Sequence, residues 1–287
     1  MPDRVPTIKT TPLRVAGPED GTTLQDLLAA RLEVSRGRAK AMLDCRNVLV
    51  NGRPVWMAKH VLRKGDVVTL PGAASVAATP PSALKVPVLL EDPAFLVVSK
   101  PPGILSDGRT GVEGLLRDRR AEPDLRAAHR LDRDTSGCLL LARTPEAFDR
   151  FVELFREHLV FKRYHALVSG IPLRRETEIR SPVDGLPALT KIRVVDSAKS
   201  TAHVLAVIVT GRTHQIRKHL AAIRHPVLGD RSYGRDRASE RRAPHVPRQM
   251  LHAFEIAFPH PLTAAKVRVT CPLPRDFAAT MRSLGLT

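Results

Sequence analysis

The sequence predicts an α+β protein: a mixed, largely antiparallel sheet flanked by helices and preceded by a small α/β unit. Three observations carry this. Strand patterns outnumber helical ones after residue 87 and do not alternate regularly with them, unlike a doubly wound parallel sheet. Residues 73–86, "AASVAATPPSALKV", carry a single charge and have linker composition. The stretch before that seam holds only two short helical patterns and a few short strands, too little core for a catalytic cleft. The expected division is therefore 12–72, a linker over 73–86, and a larger unit over 87–287.

In the front unit, "TTLQDLLAARL" opens on threonines suited to an N-cap and places Leu24, Leu27, Leu28 and Leu32 at helical spacing. "SRGRAKAMLDC" predicts a second helix capped by Ser35, with Ala39, Met42 and Leu43 inward. "NVLVNGRPV" carries a hairpin signal at Asn51-Gly52, and "VLRKGDVVTL" a strand after a Lys-Gly-Asp turn. In the larger unit, "VPVLLEDPAFLVVSKPPG" reads as two strands around a turn at Asp92-Pro93. "GCLLLAR" reads as a buried strand, and "TPEAFDRFVELFREH" as a helix with Phe148, Phe151, Val152 and Phe155 on one face. "KRYHALVSG" and "AHVLAVIVTG" are strands, "THQIRKHLAAIRHP" a helix, and "MLHAFEIAFPHPLTAAKVRVTCPLP" two strands around a turn near Pro259–Thr263. No repeat of fixed period is apparent.

The charge balance narrows the partner. With 46 Lys and Arg against 29 Asp and Glu, the 287-residue chain has a formal charge of +17, which points to a polyanion. A membrane is not expected, since no apolar run approaches the roughly 20 residues needed to span a bilayer. The N-terminus lacks the apolar core of a signal peptide, so a cytoplasmic location is expected. Cys45, Cys138 and Cys271 are odd in number and far apart, and read as ordinary reduced thiols. A monomer is the default.

Neither cofactor nor metal is expected. There is no Gly-x-Gly-x-x-Gly after a strand and no Gly-Lys-Ser/Thr phosphate loop. His214 and His219 are five apart with no acidic or cysteine ligand following at helical spacing. The chemistry must fall to ordinary side chains and the substrate.

Basic residues cluster in the front unit. Arg36, Arg38 and Lys40 lie at the start of its second helix, and Arg46 and Arg53 flank the next strand. They suit phosphate contacts, or else a solvated charged face. The stretch "HRLDRDTSG", residues 129–137, sets two aspartates among arginines. Asp134 before Thr135, Ser136 and Gly137 suits an Asx-type turn leading into the strand. Asp132 could be a surface ion pair with Arg130 or Arg133, or a carboxylate held for chemistry on a polyanion.

Two resemblances bear on this choice. "SRGRAK…VLVNGRPV…VLRKGDVV" resembles the α-L RNA-binding domain first seen in a small-subunit ribosomal protein, over most of residues 22–70. "HRLDRDTSG" followed by "LLLAR" resembles the signature of the RluA-like pseudouridine synthases. "LVVSKPPGIL", "KRYHALVSG", "TGRTHQIRKHLAAIRHPVLGDRSYG" and "LHAFEIAFPHP" resemble further motifs of that family in the same order, extending the match over roughly residues 87–275. Departures are Ser99 in place of the usual asparagine, a "SDGRTGVEG" loop without the usual His-Pro ending, and the longer, more basic insert within 231–248.

The resemblance implies a pseudouridine synthase fold in the larger unit and isomerisation of uridines in structured RNA, ribosomal before transfer RNA, with no cofactor. It implies that Asp132 is the catalytic residue and that Arg130 fills the gap left by a flipped nucleotide. It implies that Tyr164 stacks on the flipped base, and that Leu251 packs beside the uracil. A buried carboxylate needs a compensating cation, and Arg217 matches the family arginine that pairs with it, at the flank of the stripe formed by Ile216, Leu220 and Ile223. Arg212 and His214 read equally as RNA-phosphate contacts, as helix-start capping, or as direct participants. The alternative function is a non-catalytic RNA-binding or ribosome-assembly protein. The intact Asp132, Tyr164 and Arg217 set favours the enzyme, since pure binding gains little from a buried carboxylate.

Overall fold

The computed structural model describes residues 12–44, 48–55, 57–70, 84–234, 246 and 248–287, with the side chains of residues 38, 40, 41, 44, 53 and 54 left out. The chain divides into two compact units, Met1–Thr79 and Pro80–Thr287.

In the first unit, α1 (Leu24–Arg31) starts where Thr23 Oγ1 accepts the Asp26 N–H at 3.2 Å. Leu24, Leu27 and Leu28 of α1 are buried against Ala39 and Leu43 of α2 (Arg36–Asp44), while Met42 is only partly covered. A small sheet completes the core, in the order β1 (Leu13–Arg14), β4 (Val67–Thr69), β2 (Leu49–Val50), β3 (Arg53–Pro54). The β2–β3 hairpin turns at Asn51 and Gly52, both with positive φ. The Asn51 side chain ties this turn to the next strand, donating to Asp66 Oδ1 at 2.8 Å and accepting the Val67 N–H at 2.9 Å.

The second unit is built on a mixed sheet. Among the described residues its strands run in the order β10 (Glu176–Ile179), β11 (Thr190–Ala198), β12 (Thr201–Ile208), β9 (Phe161–Ser169), β13 (Leu251–Pro259), β8 (Ser136–Ala142), β6 (Phe95–Lys100), β5 (Val88–Glu91). β14 (Lys266–Thr270) pairs with β13, and β7 (Arg126–Ala127) with β8. These pairings are antiparallel except β8 with β13, which is parallel. That exception meets at Gly137, where the φ of 119° and a would-be Cβ only 2.2 Å from the Ala253 carbonyl oxygen require glycine.

Side chains alternate between the two faces of this sheet. Leu96, Val98, Leu139 and Leu141 point to one face, covered by α3 (Val112–Arg120), α5 (Gln215–Ala222) and α6 (Arg275–Leu284). Phe95, Val97, Cys138 and Leu140 point to the other, covered by α4 (Pro145–Arg156). α4 is capped by Thr144, whose Oγ1 accepts the Ala147 N–H, and carries Pro145 in its first turn. Its inner face is Ala147, Phe151 and Leu154 with Phe148 and Phe155 beside them. Val152, expected inside, is 44% exposed, because one residue beyond Phe151 the helix has turned about 100°. Among the described residues no helix is long and apolar enough to cross a membrane.

Candidate active site

Asp132 lies in the loop between β7 and β8, and its neighbours are occupied in holding that loop. Leu131 is buried; its N–H donates to Ser106 Oγ at 2.8 Å, and its carbonyl accepts from the same hydroxyl at 3.0 Å. The buried Lys100 ammonium, at the end of β6, donates to the carbonyls of Pro101, Ile104 and Arg133 at 2.7–2.9 Å. Arg133 also donates through Nε to the Gly103 carbonyl at 2.8 Å, so one of the two arginines beside Asp132 is structural. The turn is closed by the Thr135 N–H donating to the Asp132 carbonyl at 3.0 Å, a backbone bond rather than the Asx bond expected of Asp134. His129 accepts the Leu140 N–H at 3.1 Å, and burial lowers its pKa to about 3, so its ring is neutral.

With its backbone fixed, the Asp132 carboxylate reaches towards α5. Oδ2 accepts from Arg217 Nη1 at 2.9 Å, and Oδ1 faces His214 Nε2 at 3.6 Å. Arg217 is 1% exposed and is not at the flank that its position beside the apolar stripe suggested. Asp230 explains this. Its carboxylate receives Arg217 Nε at 2.7 Å and Nη2 at 2.9 Å, and also the backbone N–H groups of Ser232 and Tyr233. Burial opposes the Arg217 cation, but its hydrogen bonds and attraction to Asp230, then to Asp132, outweigh burial and raise its pKa. Burial likewise opposes ionisation of Asp230, and Arg217 with the two N–H groups reverses it, so the Asp230 pKa is lowered.

Tyr164 in β9 and Leu251 at the start of β13 are buried in the core on the same face of the sheet as Leu131. Burial, and after it the negative charge of Asp132, raises the Tyr164 phenol well above its usual pKa. His214 sits at the N-cap of α5 with a left-handed φ of 57°, but its side chain does not cap the helix. Its Nδ1 meets the Tyr233 hydroxyl at 2.9 Å, and the Tyr233 ring lies 5.0 Å from the Arg217 guanidinium. The His214 ring thus bridges Tyr233 and Asp132.

Arg130 extends into solvent, 3.3 Å from Asp107. Arg212 donates through Nε to the Pro187 carbonyl at 3.2 Å. In the first unit Arg36 is exposed and paired with Asp26 at 2.8 Å. Arg38 and Lys40 lie within α2 and Arg53 within β3 itself, but their side chains are outside the described residues, as is the whole of Arg46. The structure therefore brings Asp132, Arg217 and His214 together, and buries Tyr164 within reach of the Asp132 charge. It adds Asp230 and Tyr233, which the sequence reading does not single out. Both lie in "LGDRSYG", the end of the longer motif around the arginine-bearing helix. Their signal is an acid and an aromatic closely following a helix that carries an arginine with no local partner.

A family model for RNA pseudouridylate synthase matches residues 94–222. Ribosomal large subunit pseudouridine synthase C of Vibrio vulnificus (strain CMCP6) is 34% identical, over 83% of this chain and 84% of that protein. Ribosomal large subunit pseudouridine synthase D of Xylella fastidiosa (strain Temecula1 / ATCC 700964) is 32% identical, over 96% and 91%. The solved structure of human RNA pseudouridylate synthase domain containing 4 aligns with a TM-score of 0.58 and 25% identity, over 70% of this chain and 94% of that one. The chain belongs to the family of RNA pseudouridylate synthases, isomerases that act on RNA.

Proposed function

We propose that this enzyme converts uridine to pseudouridine in ribosomal RNA, with Asp132 as its catalytic carboxylate. The observation that carries the reading is the asymmetric setting of that carboxylate. Oδ2 is held by Arg217, which is itself locked to Asp230, while Oδ1 is left towards the His214 side. One oxygen is fixed for orientation and the other is available for reaction.

The reaction breaks the bond between ribose C1′ and uracil N1, turns the base, and joins C1′ to C5. The proton on C5 is lost and N1 gains one, so atoms balance without a second substrate. The target base must first leave its stack, at a cost of about a few kcal/mol. In this reading Arg130, exposed and paired with Asp107, fills the vacated space. Tyr164 stacks on the extruded uracil and Leu251 packs beside it. Asp132 acts on the base or at the sugar, held in place by the Arg217 fork. His214 and Arg212 line the same approach and contact phosphate.

The first unit serves as an α-L type RNA-binding domain, and the net charge of +17 supports its role in gripping a polyanion. Arg36, Arg38 and Lys40 on α2, with Arg46 and Arg53, are its contact residues. Ribosomal RNA as substrate is supported by the names of the two bacterial relatives; in this reading the enzyme acts in the cytoplasm, as a monomer. The test is to map modified uridines in ribosomal and transfer RNA from cells with and without the protein. Loss of pseudouridine at discrete ribosomal positions is the expected result; loss confined to transfer RNA would overturn the choice of substrate.

A further inference from the structure

Lys162 is a largely buried lysine without a resident anion. It is 8% exposed, and among the described residues no carboxylate or carbonyl accepts a hydrogen bond from it. Its Nζ lies 5.2 Å from the centre of the Phe155 ring on α4, and 3.8 Å from where a Cβ at Gly211 would stand. The titratable group facing it is His129, whose pKa is depressed by burial first and by the Lys162 charge second. Its register partners on the neighbouring strands are Ile208 and Ile256, both apolar. Burial alone lowers its own pKa to about 8. A cation over one aromatic ring recovers only part of what it loses on leaving water.

The position says what the missing partner is. Lys162 precedes Tyr164 by two residues, about 7 Å along β9, and its ammonium lies by Phe155 of α4. It also lies where two loops converge. One carries His129 and, next to it, Arg130; the other carries Gly211 and, next to it, Arg212. Neutral acceptors on a base edge would not offset a largely buried charge, whereas a phosphodiester oxygen carries the opposite charge and forms a short, charge-assisted bond. We propose that Lys162 is a phosphate-binding residue of the catalytic cleft, receiving a phosphodiester oxygen of the RNA strand beside the target nucleotide. This rests on the reading that the cleft around Asp132 takes up RNA. It adds an anion site to the loops that carry Arg130 and Arg212.

Two measurements on the full chain test it. In the first, the Lys162 signal of 13Cε-lysine-labelled protein, assigned with Lys162→Arg, is titrated with pH in chloride and in inorganic phosphate at equal ionic strength. The midpoint is expected near 8 in chloride and at least one pH unit higher in phosphate. A midpoint indifferent to phosphate overturns the site. In the second, Lys162→Met and Lys162→Arg are compared on unmodified large-subunit ribosomal RNA transcripts. Methionine removes only the charge, so the variant should fold with an equal or higher Tm. KM is expected to rise at least tenfold with kcat within twofold, and arginine to restore most of the loss. An unchanged KM, or a loss confined to kcat, contradicts the proposal. Should the unaltered enzyme form no pseudouridine in that RNA, the functional reading fails and the phosphate titration alone decides on Lys162.

Discussion

Arg217 and Asp230 meet through two near-parallel hydrogen bonds of 2.7 and 2.9 Å, with the Asp230 side chain fully buried. This fork fixes the guanidinium plane from behind, so that the remaining nitrogen reaches Asp132 at 2.9 Å. Breaking a buried pair by removing one partner typically costs about 3–5 kcal/mol. Asp230→Asn should therefore lower the urea midpoint substantially and slow pseudouridine formation at least tenfold, although the side chain at position 230 touches no substrate in this reading. Arg217→Lys should lose the fork and show a similar loss of rate. An Asp230→Asn variant with normal turnover would show that the fork does not position Asp132.

His129 makes stability depend on pH. Its folded pKa, about 3, lies below the ordinary histidine value near 6.5, because burial and the Leu140 N–H both require a neutral ring. The unfolded chain therefore binds the extra proton first as pH falls. Stability is full above about 6.5 and declines towards 3, by at most about 1.4 kcal/mol for each pH unit. Denaturant melts across pH 4–8 should show this slope, and His129→Gln should flatten it. An equally steep slope in that variant would place the titration elsewhere, with His165, whose pKa burial also lowers to about 3, as the alternative.

Gly137 of β8 lies tight against Ala253 of β13. Alanine there would drive its Cβ to 2.2 Å from the Ala253 carbonyl oxygen at a φ that disfavours any side chain. Gly137→Ala should destabilise by roughly 1–3 kcal/mol or more, measurable as a lower Tm; a Tm within a degree of the parent would contradict the tight parallel pairing.

Much of this architecture is legible in the sequence, for identifiable reasons. The buried strands at 95–100, 136–142 and 201–208 are continuous apolar runs, and the Asn51-Gly52 turn is a local signal. Thr23 and Thr144 announce their helices by capping. What escapes are segments whose pattern is diluted by charge. β11 alternates exposed and buried residues around Lys191 and Arg193, α3 is largely basic on its outer face, and α6 follows a proline-rich strand end. In the site, Asp132 and Arg217 are visible through their motifs. Asp230 and Tyr233 show only as an acid and an aromatic soon after α5, because their roles arise from the loop after that helix folding back on it. Lys162 is equally hidden, because no sequence pattern reveals that a lysine is buried without an anionic partner.

The first unit should govern salt dependence more than chemistry. Each phosphate that the protein ceases to neutralise lowers the slope of log affinity against log salt by about 0.7–0.9. Replacing Arg36, Arg38 and Lys40 together with alanine should weaken RNA binding and flatten that slope by up to about 2–3, with kcat at saturating RNA unchanged. A slope that does not move would remove α2 from the RNA interface.

The catalytic role of the Asp132 carboxylate is tested most directly by Asp132→Asn. The amide keeps the shape and one acceptor for Arg217 but removes the charge. Pseudouridine formation in a ribosomal RNA transcript, measured beside RNA affinity on the same preparation, should fall to background while affinity stays within a few-fold. Continued turnover by the asparagine variant would contradict the assignment of Asp132 as the catalytic residue.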